Sequence, residues 1–216
     1  MLLVIHLSFV ICDLIFMQRF IALIILILIS PLLLILFVIV KLTSKGPFIF
    51  KQKRWGRDKK PFYIYKIRTM VDRAEDLKSK IYHLNEADGP VFKIHNDPRY
   101  TKFGHFLAHS GLDELPQLVN ILKGEMAFIG PRPMPIEEAC QVPNKYQARF
   151  SVLPGLSSLW VIKGTDHSDF GKWMKLDLEY IKNKSFWYDL KIAFKTIFLL
   201  ISLLSHFERS EKSIEA

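Results

Sequence analysis

The sequence predicts a compact α/β or α+β domain that is docked on a lipid bilayer. Its 216 residues, half of them hydrophobic, suit one domain with a substantial core. Residues 1–40 carry only Asp13 and Arg19 as charged side chains, so almost all of the charge lies in the rest of the chain. In that remainder, short aromatic and branched runs occur between segments with helical spacing. We therefore divide the chain into a membrane-embedded segment, residues 1–40, and a water-exposed domain, residues 41–216.

A long apolar run predicts the membrane segment. From Phe20 to Val40, nineteen of the twenty-one residues are apolar, and a helix of that length would cross a hydrocarbon core of about 30 Å. The two exceptions, Ser30 and Pro31, lie at its centre. Proline leaves the carbonyl of Ile27 without its amide donor, and a serine hydroxyl can bond that carbonyl. Two geometries fit: a kinked span, which these residues alone favour because kinked spans are common, or two half-helices that enter and leave by the same face.

A basic cluster follows the apolar run. Eight basic residues and one acid, Asp58, lie between Lys41 and Lys60. Such a cluster is typical of the cytoplasmic side of a membrane and attracts anionic headgroups, although a solvated basic face without a partner is the alternative. Its position after the apolar run argues against a secretory signal peptide. Residues 1–17 are also apolar, and either an interfacial position or part of a span fits them.

Several functional classes are disfavoured by what the sequence lacks. Cys12 and Cys140 are the only cysteines, and one of them lies in the apolar segment, so we expect no disulfide framework and a reducing compartment. No HExxH motif, Cys/His cluster, P-loop or GxGxxG fingerprint occurs. The net charge of +9 is the only feature that suggests nucleic-acid binding, and we expect no nucleic-acid partner.

The water-exposed domain is predicted to begin with a strand and a helix. The stretch Pro61–Ile67 is rich in aromatic and branched residues, which favours a strand. Thr69 resembles an N-cap, with Asp72 three residues later. Apolar residues then recur at helical spacing and predict an amphipathic helix; they are Val71, Ala74, Leu77, Ile81 and Leu84.

Turn residues delimit the next two helices. A turn at Asn96-Asp97-Pro98 precedes a short helix, around Phe103 to Leu107, that Gly111 is expected to end. The following helix is predicted to begin at Pro116 and to end at Gly124. Its predicted buried face consists of Leu118, Val119 and Leu122.

The rest of the domain contains fewer signals. Residues 124–129 predict a short strand, and the sequence from Gly130 to Pro133 predicts an extended loop that holds Arg132 between two prolines. The segment from Ile192 to Leu204 is largely apolar, and either a core helix or a helix on the membrane surface fits it.

Asp113 and Glu114 are candidates for chemistry because they lie at a predicted helix entrance. Adjacent acids there usually serve as caps, but a helix N-terminus also favours phosphate binding. A carboxylate can attack phosphorus only if the negative charges are offset by a divalent cation and basic donors. Arginines at positions 68, 99 and 132 lie in loops or at the ends of predicted elements, and they could supply such donors.

Seven short motifs occur along the chain: GPFIFKQ (46–52), YKIRTM (65–70), DPR (97–99), LDELPQ (112–117), GPRP (130–133), PG (154–155) and LD (176–177) with Tyr180. In this order they resemble the motifs of bacterial sugar transferases, the small monotopic phosphoglycosyl transferases. The resemblance runs from about Phe20 to about Ile192, and LDELPQ followed thirteen residues later by GPRP is highly specific.

The resemblance implies a reaction and roles for individual residues. It implies transfer of a phosphosugar from a UDP-sugar to a polyprenyl phosphate such as undecaprenyl phosphate, with release of UMP, to initiate surface glycan synthesis. Asp113 would be the nucleophile that forms a covalent phosphosugar intermediate, and Glu114 would help to bind Mg²⁺. The basic residues that the resemblance assigns to the diphosphate and the lipid phosphate are Lys66, Arg68, Arg99 and Arg132.

The resemblance also implies a location. It implies a re-entrant helix broken at Ser30-Pro31, which reverses the preference for a span, together with further interfacial helices. The catalytic domain, residues 41–216, would lie on the cytoplasmic face of the bacterial inner membrane. Further partners that we consider are a second copy of the chain and downstream glycosyltransferases.

The chain departs from the family pattern near the candidate site. Ala108, followed by His109, stands where family members usually carry arginine, and Val161 and Thr165 replace a glutamine and an arginine. We hypothesise that His109 and Lys163 partly replace the missing charges. The competing interpretation is a divergent, non-catalytic homologue that binds lipid phosphates or partner enzymes at the membrane.

Overall fold

The computed structural model describes the backbone of residues 2–164 and 169–214, and the side chains of residues 15–164, 169–199 and 202. Helices predominate in this part of the chain, and the strands form two separate two-stranded sheets, which confirms a mixed fold of the α+β type. The α-helices are α1 (Leu2–Thr43), α2 (Lys102–Ser110), α3 (Leu118–Lys123), α4 (Ile136–Ala139), α5 (Leu159–Ile162), α6 (Phe170–Asn183) and α7 (Phe186–Ile214). The strands are β1 (Ile49–Trp55), β2 (Pro61–Ile67), β3 (Ala127–Ile129) and β4 (Gly155–Ser157).

Helix α1 continues through Ser30 and Pro31 without interruption, so the predicted break does not appear as a gap in the helix. The predicted serine bond is confirmed, because the Ser30 hydroxyl donates to the Ile27 carbonyl over 2.8 Å. This is the carbonyl that Pro31 leaves without an amide donor, and the bond explains why the helix persists there. Within the described residues, the part Ile15–Thr43 is long and apolar enough to cross a membrane.

One face of α1 packs on the rest of the protein along both of its halves. Before Pro31, Ala22 belongs to a core cluster with Phe62 and Leu118. After Pro31, Leu36 belongs to a second cluster with Leu107. The α1 residues that pack in this way recur at helical spacing and are Ala22, Ile25, Leu26, Ile29, Leu33, Leu36 and Val40.

The opposite face of α1 is apolar and exposed. It includes Leu28, which is 72% exposed, and Leu34, which is 64% exposed. Both ends of the packed stretch are also tied to the domain, since the Gln18 side chain accepts a bond from the Phe128 amide and Lys41 donates to the Gly46 carbonyl. The helix therefore lies along the domain and does not project away from it.

Strands β1 and β2 form an antiparallel hairpin, and the bounds of β2 coincide with the predicted strand. Phe62 and Ile64 point to the core that contacts α1, whereas Tyr63 is 47% exposed. The fully buried Asn120 lies beside β2 and bonds its backbone twice, donating to the Tyr63 carbonyl and accepting from the Tyr65 amide. These bonds fix the hairpin relative to α3.

The predicted amphipathic helix after Thr69 is wrong. Met70 pairs with Tyr100 in an isolated antiparallel bridge, and the Thr69 carbonyl accepts a bond from the Thr101 amide. Residues 69–71 are therefore held in extended conformation by a neighbouring segment, which prevents a helix from starting there. Only two 3₁₀ segments follow, Ala74–Leu77 and Ser79–Leu84, in place of the continuous helix.

The helix ends predicted from glycine are confirmed. Gly111 and Gly124 end α2 and α3 with positive φ angles of 73° and 76°. The start at Pro116 is wrong, because Pro116 lies inside a 3₁₀ segment, Leu112–Gln117, that precedes α3. The predicted buried face is correct only in part, since Leu118 is buried and the other fully buried positions of α3 are Asn120 and Ile121.

Strands β3 and β4 pair in parallel, and α7 packs beside them. The short strand predicted near Ile129 is therefore confirmed. In α7, Ile192 is buried while Phe194 and Phe198 are 65% and 76% exposed. This helix thus combines a core face with an exposed apolar face, so each of the two predicted environments fits one side of it.

Candidate active site

The hairpin places Lys66 at the candidate site. Lys66 has the same strand parity as Phe62 and Ile64, so its side chain extends from the inner face of β2. Its ammonium lies 3.3 Å from Oδ2 of Asp113 and 2.8 Å from Oε1 of Glu114. One lysine therefore contacts both carboxylates of the predicted catalytic pair.

The two carboxylates lie in the first turn of the Leu112–Gln117 segment. Gly111, in left-handed conformation, reverses the chain after α2, and its carbonyl accepts a bond from the Glu114 amide. Asp113 is only 5% exposed. The position at the entrance of a helical segment was predicted correctly.

Arg132, on the loop between β3 and α4, completes the cluster. Its Nη2 lies 2.6 Å from Oε1 of Glu114, the same oxygen that Lys66 contacts. The guanidinium also lies 5.9 Å above the ring of Trp160. The structure thus brings together four of the predicted site residues: Lys66, Asp113, Glu114 and Arg132.

The two carboxyl groups differ in their electrostatic environment. Burial raises the pKa of Asp113, the charge of Glu114 raises it further, and Lys66 opposes the rise. Burial alone would also raise the pKa of Glu114, but the charges of Arg132 and Lys66 outweigh this effect and hold the pKa well below its usual range. The environment of Glu114 therefore favours its anionic form, and Lys66 favours the ionised form of Asp113 against the effect of burial.

Arg68 and Arg99 line the same cavity, but their contacts are elsewhere. Arg99 forms a fork with the carboxylate of Asp97, and the shortest of its contacts is 2.6 Å. Arg68 donates from Nη2 to both the carbonyl and the hydroxyl of Ser44, each over 2.8 Å. The assignment of these two arginines to substrate phosphates stays a prediction.

The positions that depart from the family pattern fall into two groups. Ala108, His109 and Val161 line the cavity, and the ring of His109 stacks on His105 with 3.9 Å between centroids. The ammonium of Lys163, in contrast, lies 2.9 Å from both carboxylate oxygens of Glu179. A contact between Lys163 and a substrate would require this ion pair to open. Thr165 lies outside the described residues.

Sequence reasoning missed two arginines near the site, the half-buried Arg54 and the buried Arg149. Arg54 lines the cavity and donates to the Pro133 carbonyl, and burial together with the charge of Arg132 lowers the pKa of Arg54 to about 10. From the sequence it is only one member of the basic cluster between Lys41 and Lys60. Its alternation with exposed Lys53 along β1 was a signal that could have placed it on the inner face.

The second missed arginine, Arg149, contacts the backbone of Arg132. Arg149 is 3% exposed, bonds Oδ2 of the buried Asp177 over 2.9 Å, and donates to the Arg132 carbonyl over 2.8 Å. Burial raises the pKa of Asp177 to about 6, although Arg149 opposes the rise. No local pattern indicates this pair, because its members are twenty-eight residues apart.

The residues at the site are compatible with a magnesium ion that also binds a substrate. No group of three or more His, Cys, Asp or Glu side chains that could hold a metal occurs in the described part of the chain. Magnesium is, however, commonly bound by one or two carboxylates together with substrate phosphates and waters. Among the described residues, Oε2 of Glu114 accepts one long hydrogen bond, from Nη1 of Arg132 over 3.5 Å, and it is the oxygen that could take part.

The cavity around the site is large and has two kinds of walls. Its volume is about 1820 Å³, and it is open to the surface. The charged residues of the site line one part, while α1 and α7 contribute apolar side chains that include Ile21, Ile25, Ala193 and Ile197. Sites for one small molecule usually measure about 300–1000 Å³, so this cavity has room for more than one ligand.

Comparisons with known proteins identify the family of the chain. The family described as bacterial sugar transferase matches residues 14–202. The chain is 41% identical to the UDP-glucose:undecaprenyl-phosphate glucose-1-phosphate transferase of Escherichia coli (strain K12), over 82% of the chain and 38% of that protein. It is 40% identical to the galactosyl transferase CpsE of Streptococcus agalactiae serotype III (strain NEM316), over 70% of the chain and 34% of that protein.

A third relative is similar over most of its length. The chain is 35% identical to the exopolysaccharide production protein ExoY of Rhizobium meliloti (strain 1021), over 80% of the chain and 78% of that protein. The two longer relatives are matched over only 34% and 38% of their lengths. The matched region contains every residue of the charged cluster. The chain therefore belongs to the bacterial sugar transferase family.

Proposed function

We propose that this protein transfers a sugar phosphate from a UDP-sugar to a polyprenyl phosphate and releases UMP. The observation that carries the proposal is the buried Asp113, which lies beside Glu114 with Lys66 in contact with both. The names of several relatives describe sugar-phosphate transfer to undecaprenyl phosphate, and this supports the same reaction here.

In the first half of the reaction, a carboxylate oxygen of Asp113 attacks the phosphorus that bears the sugar. The bond from that phosphorus to the bridging oxygen breaks, UMP leaves with the electron pair, and an aspartyl phosphosugar remains. The attack requires Asp113 to be ionised, and Lys66 favours this state against the effect of burial. Arg132 and Lys66 also offset the charge of the incoming diphosphate.

In the second half, an oxygen of the polyprenyl phosphate attacks the same phosphorus. The bond to Asp113 breaks, the carboxylate is regenerated, and the product is a polyprenyl diphosphate sugar. The apolar walls of the cavity at α1 and α7 suit a lipid substrate, and the charged part suits its phosphate. Because one group carries the sugar phosphate between two substrates, the kinetics should be ping-pong.

Mg²⁺ is the cofactor that we propose, held by Glu114 together with substrate phosphate. When bound, the ion would neutralise charge on the diphosphate and the departing UMP. Removal of divalent cations with EDTA should abolish UMP release, and added Mg²⁺ should restore it.

The membrane position that we propose is one-sided and cytoplasmic. Both ends of the packed stretch of α1 contact the domain, and the exposed residues of α1 between Phe16 and Leu42 are apolar except for Arg19, Ser30 and Lys41. A helix that crossed the bilayer would carry part of the domain into the lipid with it, which would bury charged surface. These contacts support association of α1 with one side of the bilayer, with α7 at the interface, and the re-entrant bend at Ser30-Pro31 is part of the same proposal. We propose that the protein lies at the bacterial inner membrane.

The proposal is tested by incubating detergent-solubilised protein with UDP-sugars, Mg²⁺ and polyprenyl phosphate. We expect UMP release with at least one UDP-sugar, and a loss on the order of 10³-fold or more in Asp113→Asn, which keeps the size of the side chain but removes the nucleophile. Equal UMP release by Asp113→Asn would refute the covalent mechanism. Absence of release with every UDP-sugar would favour the non-catalytic alternative.

A further inference from the structure

The loop that carries Arg132 has few backbone amides of its own. Pro131, Pro133 and Pro135 alternate along it, and a proline has no N–H group to donate. Residues 130–135 lie between β3 and α4, outside both elements. The conformation of this loop must therefore be fixed largely by donors from other parts of the chain.

Distant segments supply those donors. The four successive carbonyls of residues 131–134 each accept a hydrogen bond from elsewhere in the chain. The two outer carbonyls accept from backbone amides, those of Gly155 and Trp55. The two inner carbonyls accept from guanidinium groups, those of Arg149 and Arg54. Arginine side chains thus take the place of backbone donors at the centre of the loop.

Arg149 is suited to hold the loop because it is itself fixed by Asp177 of α6. The two residues are only 3% and 2% exposed. Nε and Nη2 of Arg149 both donate to Oδ2 of Asp177, over 3.0 and 2.9 Å, and Nη2 also donates to the Arg132 carbonyl over 2.8 Å. Neither member of the pair lines the cavity around Asp113, whereas Arg132 does. The pair can therefore affect a substrate in that cavity only through other residues.

Two tryptophans provide a second connection between the arginines. The guanidinium of Arg132 lies 5.9 Å from the centre of the Trp160 ring, and that of Arg149 lies 5.6 Å from the centre of the Trp173 ring. The two rings are 5.7 Å apart. Arg149 is thus connected to both the backbone and the side chain of Arg132. A displacement of Arg149 should consequently move the guanidinium that pairs with Glu114.

We infer that Arg149 and Asp177 are positioning residues for the transfer reaction and that they act through Arg132. By fixing the loop, they hold the guanidinium of Arg132 in place before the diphosphate of the UDP-sugar arrives, so that binding requires little reorganisation. This inference rests on the proposed function for the identity of the substrate. A positioning role also accounts for the buried ion pair, since such pairs add little to stability once their desolvation is included.

The test is a double-mutant cycle between Arg149 and Arg132, measured as kcat/KM for the UDP-sugar. Arg149→Lys keeps a cation beside Asp177, but lysine is one bond too short for its ammonium to replace Nη2 at the Arg132 carbonyl. We expect this change to reduce kcat/KM about tenfold to a hundredfold in the wild-type background. In the Arg132→Ala background it should cost less than about twofold, because the group that the pair positions is already absent.

Asp177→Asn is a second variant that leaves Arg149 in place and removes the anion that orients it. It should also reduce kcat/KM, and Arg132→Ala should mask this loss as well. Lys175→Gln is the control, because it removes one exposed charge from the same helix, and it should behave as the wild type does. All rates are measured at a temperature at which circular dichroism shows every variant to be folded.

Two results would overturn the inference. One is a loss in Arg149→Lys that is equally large with and without the Arg132 guanidinium, because the pair would then act on the fold as a whole. The other is a kcat/KM equal to that of the wild type in both Arg149→Lys and Asp177→Asn.

A binding measurement separates this inference from the proposed function. UDP carries the diphosphate without the sugar, so its binding to the full chain in detergent with Mg²⁺ requires no turnover. Arg132→Ala should weaken UDP binding by about tenfold or more, and Arg149→Lys should weaken it in the same direction. The double variant should bind UDP no more weakly than Arg132→Ala, and additive losses would contradict the positioning role. This pattern without UMP release from any UDP-sugar would refute the proposed function and leave the positioning role supported.

Discussion

Arg132 and Glu114 form a close ion pair, with 2.6 Å between Nη2 and Oε1. Arg132 lies on the loop after β3, and Glu114 lies in the segment before α3, eighteen residues earlier in the sequence. The ion pair therefore joins these two segments next to Asp113. Since Lys66 contacts the same oxygen, Glu114 orients two cations whose charges then face the substrate. Glu114 thus organises the site even before a metal is considered.

Replacing Lys66 by methionine should shift the pH dependence of the reaction. Lys66 lowers the pKa of Asp113 against the effect of burial, so Lys66→Met should raise this pKa further. The acid limb of kcat/KM against pH should move to higher pH, because only ionised Asp113 attacks. The loss of a cation near the transferred phosphoryl group should also lower the rate on the order of 10²-fold. An acid limb at the wild-type pH would contradict the assignment.

Two residues were expected to compensate for missing arginines, and the structure separates them. His109 lines the cavity, whereas Lys163 is paired with Glu179. We therefore expect His109→Ala to reduce kcat/KM for the UDP-sugar by about tenfold, the effect of one lost hydrogen bond to a charged group. Lys163→Ala should change it by less than about threefold, as for an exposed ion pair. A larger loss in Lys163→Ala would restore the original hypothesis for both residues.

Removal of Arg149 should destabilise the protein in a pH-dependent way. Arg149→Met leaves Asp177 buried without its cation, which should lower the free energy of unfolding by about 3–5 kcal/mol at pH 8. The folded-state pKa of Asp177 is already raised to about 6, and the variant raises it further. A raised carboxyl pKa contributes stability that is present at acid pH and lost as the pH rises, so the deficit should shrink toward pH 5.

This deficit can be measured as the difference in thermal unfolding temperature between wild type and variant at pH 5 and pH 8. Lys163→Met is the matched control, because it also removes one cation from an ion pair but does so at an exposed position. Its effect should stay within about 1 kcal/mol at both pH values. A deficit in Arg149→Met that is the same at both pH values would rule out a role for the Asp177 charge.

The one-sided position of α1 can be tested by cysteine labelling. In a background with Cys12 and Cys140 changed to serine, Met17→Cys and Leu42→Cys place thiols at exposed sites near the two ends of the apolar run. Both should react with a membrane-impermeant maleimide from the cytoplasmic side only. Leu28→Cys, which faces outward next to Ser30 and Pro31, should be protected by lipid from both sides. Labelling of either end from the opposite side would establish a span.

Local signals in the sequence were sufficient for some elements but not for others. The β2 strand and the helix ends at Gly111 and Gly124 were predicted correctly, because strand composition and left-handed glycine act within a few residues. The helix predicted after Thr69 fails, because a distant segment at Tyr100 pairs with residues 69–71. Tertiary pairing overrides helical periodicity there.

In the candidate site, too, some features have local sequence signals and others depend on tertiary contacts. Asp113 and Glu114 do lie at the entrance of a helical segment, although that segment begins at Leu112 and not at Pro116 as predicted, and the family motifs had suggested Lys66 and Arg132 as neighbours of substrate phosphates. The sequence could not show that Lys66 and Arg132 share one oxygen of Glu114, since that depends on how a hairpin packs against a loop. Arg149 was missed for the same reason, because burial of an arginine has no local signature.

The contacts of Asn120 with β2 have a consequence for the behaviour of the protein in solution. A strand of a two-stranded sheet presents unpaired backbone groups that can recruit strands from other molecules. Asn120 occupies two of these groups, at Tyr63 and Tyr65, and so replaces part of a third strand with one amide. Because Asn120 is fully buried, an Asn120→Leu variant would leave both groups unpaired inside the fold, and it should unfold at a lower temperature than the wild type, by the equivalent of about 1–3 kcal/mol for each lost partner.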